Sequence, residues 1–450
     1  MKIDNSLTTC TIPECIRKIA IPASVGFFFH TLFNVVDTYY AGLIGTTAQA
    51  ALSLAFPVFF VVISVGSGVQ VGTTALIGAA LGSGDNRAAG EYARQGLGFG
   101  LTVTVLLTLV GLVGARPLFS ILGAQGDYLA ACLQYMLPIF ALCIFPLLIY
   151  VFNAVLQSQG DTKSFRNVLM ASSAANIALD PWFIYGGWGL PAMGITGIAV
   201  ATILCQAGGT FYLGLRAVRT GIYSVPGSGG WRPRATPFRD LARQSLPAGF
   251  NYVTMGLGIF IITYFVSRFG QTVVAAYGVA TRVEQIVLMP TIGLNIATLT
   301  LTAQNHGAGK LDRVHELMRK SLTYGAWLMG GGGILVFATA EPLMRAFTAD
   351  PLVQAEGVRF LRIMAFLLYA YVVLFVSVAM LQGLKRPMFA LWIGLWRQIA
   401  APVALFWVLT GLLDFGVAAI WWSIVAINSS AALYSWTYAR RVLSRLTPRP

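Results

Sequence analysis

Charge is what this sequence has least of: only 10% of its 450 residues are Asp, Glu, Lys or Arg, while 57% are hydrophobic. Soluble domains carry about 25% charged residues, so a water-soluble globule is excluded. Histidine is nearly absent, with three in the chain, and no cluster has metal-ligand spacing. Cysteine numbers five, an odd count, and Cys132, Cys143 and Cys205 lie inside apolar runs. Cys10 and Cys15 have no second pair or histidine cluster beside them, so free thiols are expected rather than a metal or redox pair. The opening stretch MKIDNSLTTCTIPECIRK lacks the apolar core and small-residue site of a cleavable signal peptide, and none is expected. Glycine-rich GSGVQVG at 66–72 follows no strand and has no Lys-Ser/Thr, so bound ATP is not the expected energy source. No nucleophile–base pairing suggests an enzyme.

Long apolar runs are what the chain does have. A membrane-crossing helix needs about 20 residues. Spans are expected at 15–42, 48–81, 90–115, 127–157, 165–188, 192–219, 240–268, 273–305, 313–340, 353–383, 388–411 and 415–443. The expected fold is therefore an all-α integral membrane protein of about 12 transmembrane helices. The net charge of +14 would fit nucleic acid if the basic residues were clustered, but most of the 30 sit in alternate loops. One set of loops holds Arg87, Arg94, Lys163, Arg166, Arg216, Arg219, Lys310, Arg313, Lys385 and Arg386, joined by Lys2, Arg17, Lys18, Arg440, Arg441 and Arg449 at the ends. The other set has only Arg116, Arg268 and Arg345 near it. Positive loops stay on the cytoplasmic side, so a multi-pass protein of the inner membrane with both termini cytoplasmic is expected, with no nucleic-acid partner.

The one long Gly/Pro/Arg-rich connector, 220–239, falls at the middle of the chain and invites a repeat search. Shifted by 225 residues, the sequence aligns on itself: Pro22-Ala23 meets Pro247-Ala248, Gly45 meets Gly270, and Glu91 meets Glu316. From 22 to 100, 21 of 79 positions are identical without a gap. Two six-helix lobes are expected, 1–219 and 240–450, joined by 220–239. An even number of spans per copy gives both the same orientation, related by a pseudo-twofold axis along the membrane normal. Pro22 and Pro247 occupy matching places and predict a helix bend in each copy.

Charge inside a span costs about 2.5–3.5 kcal/mol on insertion scales and needs a reason. Asp37 lies in the first span and Asp180 in the fifth, at similar depth in the outer half. His30, Asn34 and Asp37 follow i, i+4, i+7 on one helix face. Asn176 and Asp180 follow i, i+4, and Pro181 frees the carbonyl of residue 177. Two carboxylates with amide and carbonyl oxygens suit a hard monovalent cation or, alternatively, one shared proton. The second copy lacks them: Asp37 corresponds to Ile262, and after a one-residue deletion Asn176 and Asp180 correspond to Ala400 and Ala404. That copy instead has Arg282 and Glu284, spaced i, i+2 and so on different faces. Structural salt bridges are the preferred reading there, with Arg397 a candidate partner for Glu284, and substrate contact is the alternative.

These residues resemble the multidrug and toxic compound extrusion family, on VDTYYAG (36–42), ALGSGD (80–85) with its echo HGAGK (306–310), LQSQGDTK (156–163) and NIALDPWFIYG (176–186). The resemblance covers the whole chain. It implies a secondary multidrug efflux transporter, exporting organic and often cationic amphiphiles by antiport with H⁺ or Na⁺ through alternating access. It implies a cation site at Asp37, Asn176, Asp180 and Thr202, with Tyr135 and Asn153 as lining residues. No cofactor beyond the coupling ion is expected, and a monomer is. A flippase or exporter of lipid-linked precursors or metabolites on a related fold is the alternative. It calls for a cationic cavity, and the first copy has buried acids and no buried base.

Overall fold

The computed structural model describes residues 6–187, 189–227 and 230–446. Lys2 and Arg449, used above to orient the chain, lie outside the described residues, as does part of the 220–239 connector. The described residues form no β-strand, only an isolated bridge between Gly187 and Leu190. The helices run in order α1 (Ile12–Ile44), α2 (Thr46–Gly82), α3 (Asn86–Ile121), α4 (Gly126–Ala141), α5 (Ile144–Ser158), α6 (Lys163–Tyr185) and α7 (Ile195–Arg219). There follow α8 (Ala235–Ser267), α9 (Gln271–Gly307), α10 (Leu311–Phe347), α11 (Pro351–Ala365) and α12 (Leu368–Gly383). The last crossings are the segment Met388–Leu412, which contains α13 (Met388–Leu395) and α14 (Ala401–Trp407), and α15 (Ala418–Leu446).

Among the described residues eight helices are long and apolar enough to cross a membrane, and ten spans result when α4–α5 and α11–α12 each count as one. Helices α6 and α15 complete twelve. Asn176 and Asp180 dilute α6, and Asn428 with Ser423, Ser429 and Ser430 dilutes α15. The repeat survives in the backbone. Bends of 47° at α4–α5 and 51° at α11–α12 fall at the same offset. Pro138 and Pro146 flank the first bend, but no proline flanks the second, so proline is not their common cause. The turns after α2 and α9 also match: Gly84 at φ 77° and Gly309 at φ 69° take the left-handed conformation that glycine adopts without strain. Pro22 and Pro247 stand inside continuous helices.

The chain divides into two compact units. Unit 1 contains Val25–Gly249, and unit 2 contains Ser6–Ser24 with the chain from Phe250 onward. The crossings at 24/25 and 249/250 follow each proline by two residues, so the division differs from one placed at the connector. The connector belongs to unit 1 because α3 holds it. Gln95 Nε2 donates to the Arg232 carbonyl at 2.9 Å and Gln95 Oε1 accepts from the Arg234 amide at 3.0 Å. Arg234 pairs with Glu91 at 2.6 Å.

In unit 2 the N-terminal segment packs on the end of α9. Lys310 Nζ donates to the Thr8 carbonyl at 2.9 Å and Arg313 Nη2 to the Cys10 carbonyl at 2.6 Å. Here the expectation of free thiols fails for one pair: Cys10 and Cys15 form a disulfide. The turn between a short 3₁₀ segment (Ser6–Thr8) and α1 brings their Cα atoms to 6.2 Å, within bridging range. Cys132, Cys143 and Cys205 are buried and free.

Candidate functional site

Within unit 1 the acids of α1 and α6 meet beside α7. Small residues let the helices approach: a Cβ on Gly197 of α7 would lie 2.7 Å from the backbone of Phe183 in α6. Close backbone contact through glycine is the usual way membrane helices pack without a hydrophobic drive. It places Thr202, five residues further along α7, against the acids. Thr202 Oγ1 donates to Asp37 Oδ2 at 3.4 Å, and Asn176 Nδ2 donates to Asp180 Oδ1 at 2.9 Å. The Asp37 carboxyl lies close to Asn176 and Asp180. All four side chains are buried: Asp37 is 5% exposed, Thr202 2%, and Asn176 and Asp180 0%.

Two carboxyls facing each other have only acceptor oxygens unless one carries a proton. Asp37 Oδ1, Asp180 Oδ2 and Asn176 Oδ1 are buried without a hydrogen-bond donor. No Lys, Arg or His forms a salt bridge with either acid among the described residues. The pair therefore needs a positive charge from outside the chain, and its oxygen-only donors fit a proton or a hard monovalent cation. The carbonyl of Ile177, freed by Pro181, accepts from Tyr40 Oη at 3.2 Å. That hydroxyl, absent from the sequence reading, uses one lone pair of the oxygen expected as an extra ligand.

The other expected residues separate. Tyr135 is buried beside both carboxyls, and Asn153 is 3% exposed with Oδ1 unpaired. Asn34 turns its amide back to the His30 carbonyl at 2.8 Å, and His30 sets its ring edge-on to Phe27. Both are engaged within α1 rather than with the acids. Ser173 and Gln206 were not anticipated, and each has a buried oxygen without a partner. Ser173 precedes Asn176 by three residues and Gln206 follows Thr202 by four, so helical spacing alone could have found them.

In unit 2, Arg282 is exposed and Glu284 is half-buried, on different faces as the spacing requires. The expected salt bridge between Glu284 and Arg397 is not formed. Tyr371 lies near both groups, and Arg397 bonds Asn428 instead. A tyrosine on α12 was not visible as their neighbour because nothing in the sequence registers α12 against α9.

A model of the MatE family matches twice, over residues 22–182 and 247–425, and the two matches begin at the equivalent prolines. The chain belongs to the MatE family. This MATE protein is 28% identical over 415 residues to the FAD transporter of Shewanella oneidensis, covering 89% of this chain and 88% of that one. It is 26% identical over 355 residues to the probable multidrug resistance protein NorM of Thermotoga maritima, covering 77% and 75%. Its fold matches that of a multidrug resistance MATE transporter of the MOP superfamily solved in an outward-facing conformation, with a TM-score of 0.91 at 23% identity and 99% of both chains covered. The protein is thus a multi-pass membrane transporter of the MATE efflux type, acting on small molecules.

Proposed function

We propose that this MATE protein exports organic, often cationic, amphiphiles in exchange for inward H⁺ or Na⁺, with Asp37, Asn176, Asp180 and Thr202 as the coupling site. The observation that carries this reading is the pair of buried carboxyls from two helices, in contact with each other and with no base. A proton or sodium ion and a cationic substrate satisfy the same unmet charge, and competition for one charge is what couples their movements. Tyr135 and Asn153 line the site. The two six-helix lobes, 1–219 and 240–450, alternate access around the 220–239 connector, in a monomer with both termini in the cytoplasm. The ion gradient drives the cycle without ATP or a resident cofactor. The similarity to an FAD transporter favours a second cargo class, aromatic molecules that carry acidic groups. The lipid-linked precursor reading is weaker in unit 1, where the buried groups are acids.

Reconstitution into proteoliposomes, with pH and sodium gradients imposed separately, tests the assignment. Asp37→Asn and Asp180→Asn should each abolish gradient-driven efflux while the protein stays in the membrane, since a neutral amide inserts more readily than an acid. Ile262→Asn, at the equivalent uncharged position, should leave coupling intact. Wild-type efflux by both Asp variants would refute the site.

A further inference from the structure

Unit 2 buries a base where unit 1 buries acids. Arg397 is 7% exposed inside the membrane-crossing segment Met388–Leu412. It sits in a π-helical turn, Trp396–Ala400, where the Ala401 amide reaches back to the Trp396 carbonyl. Such turns have poorer local hydrogen bonding and occur mostly at functional sites. In the register that sets Asn176 and Asp180 against Ala400 and Ala404, Arg397 takes the place of Ser173. The two copies of this helix have exchanged acid for base.

The base has no counter-charge among the described residues. No carboxylate forms a salt bridge with Arg397 among the described residues. A guanidinium has five N–H donors, and this one makes a single hydrogen bond, from Nη1 to Asn428 Oδ1 at 2.7 Å. Glu284, the acid available, forms no salt bridge with it and keeps Oε1 buried and unpaired. Around the guanidinium are an aromatic ladder and a polar floor. Phe375 lies 6.0 Å from it and stacks on Tyr371 at 5.8 Å and 12°. One turn earlier, Asn251 Oδ1 and Thr254 Oγ1 of α8 pack directly against Gly394, 2.4 and 2.8 Å from where a Cβ would stand.

We propose that Arg397 is the receptor for an anionic group of the exported compound, a carboxylate or phosphoryl oxygen, so that unit 2 accepts aromatic zwitterions and anions. The planar guanidinium fork matches those oxygens bidentately, and the stacked rings match an aromatic body attached to them. The inference deepens the efflux reading above and rests on it for the identity of the cargo. A purely structural arginine would stabilise the helix packing without distinguishing one cargo from another.

Two dyes separate these cases: a rhodamine with a free carboxylate and its methyl ester, which share one cationic ring system. Binding of both to the purified protein is measured by fluorescence polarisation, and export of both in proteoliposomes. Arg397→Gln should weaken the carboxylate dye by about 10- to 100-fold, the range for hydrogen bonds to charged groups, and leave the ester within about twofold. Arg397→Lys should recover part of the loss, because a point charge replaces the fork. Where Arg397→Gln does not fold, Asn428→Ala, which removes the acceptor that positions the guanidinium, should shift the same acid-to-ester ratio in the same direction by a smaller factor. Equal weakening of both dyes, no change in either, or no binding of the carboxylate dye by the wild type would overturn the proposal. Selective binding without export would overturn the efflux reading alone.

Discussion

Replacing Gly197 by alanine tests how the carboxyl pair is held. An added Cβ would meet Phe183 C and O at 2.7 Å and Ile184 N at 2.8 Å, all backbone atoms that cannot rotate away, while ordinary contact starts at 3.4 Å. The backbones of α6 and α7 must therefore part by about 0.7 Å, the difference between 3.4 and 2.7 Å. Overpacking of this kind costs about 1–3 kcal/mol, and alanine returns about 0.5–1 kcal/mol of helix preference. A net loss of about 0.5–2 kcal/mol is expected. The same displacement of α7 disturbs the 3.4 Å hydrogen bond from Thr202 to Asp37 of α1, which is already long. Gly208, on the same helix, has no atom within 4 Å of its Cβ position. Gly208→Ala should therefore be neutral or gain up to about 1 kcal/mol. Gly209→Ala falls between, because it meets the Val168 side chain, which can move. Denaturant midpoints in detergent, followed by tryptophan fluorescence, give the ranking, and coupled efflux gives the functional readout. Gly197→Ala at least as stable as Gly208→Ala, with wild-type efflux, would refute the packing account.

Two further outcomes follow from the site and the charge pattern. Drug binding should release protons, and lowering the pH should weaken drug binding reciprocally, both effects vanishing in the Asp37→Asn/Asp180→Asn double variant; the pair titrates as one unit, and calorimetry in buffers of different ionisation enthalpy reads the proton count. Drug affinity flat from about pH 5 to 8, with and without sodium, would end this mechanism. For topology, the exposed Arg232 contributes only its backbone carbonyl to the α3 contact, so Arg232→Cys should react with a membrane-impermeant thiol reagent only after cells are opened. Labelling in intact cells would reverse the assigned orientation.

Span order and repeat were legible because they depend on properties each residue carries by itself: apolarity, charge and the backbone demands of glycine. The grouping of Asp37, Asn176 and Asp180 was legible because they sit at helical spacing within α6 or stand out as acids in apolar sequence, while Thr202 entered only through the family resemblance. The bends at Leu142 and Phe366 were not, because the second has no proline to announce it. Nor was the place of Tyr40 or Tyr371. Each lies near a polar group on another helix, and interhelical register is written in packing volumes rather than in any local pattern. The salt bridge assigned to Glu284 and Arg397 failed for the same reason: opposite charges in two spans suggest a pair, but a third helix decides whether they touch.

The duplication also explains how one fold can hold opposite chemistries. A buried charge must be offset locally, so a single site holding two acids and an arginine in contact would satisfy itself and have little need of a ligand. Splitting the charges between two copies of the same helix prevents that. Among the described residues Asp37 and Asp180 have no basic partner within unit 1, and Arg397 has no carboxylate partner within unit 2. The identical glycines and turns of the two copies keep the scaffold, while Ile262, Ala400 and Ala404 mark where the second copy has dropped the acids. Each unit is then left with an unmet charge, and the cost of burying it is recovered only when a ligand of opposite sign arrives. On this reasoning, Asn428→Asp, at the side chain whose Oδ1 accepts from Arg397 Nη1 at 2.7 Å, should raise the stability of the empty protein and lower its affinity for a carboxylate-bearing dye, because the arginine would then find its counter-ion within the chain.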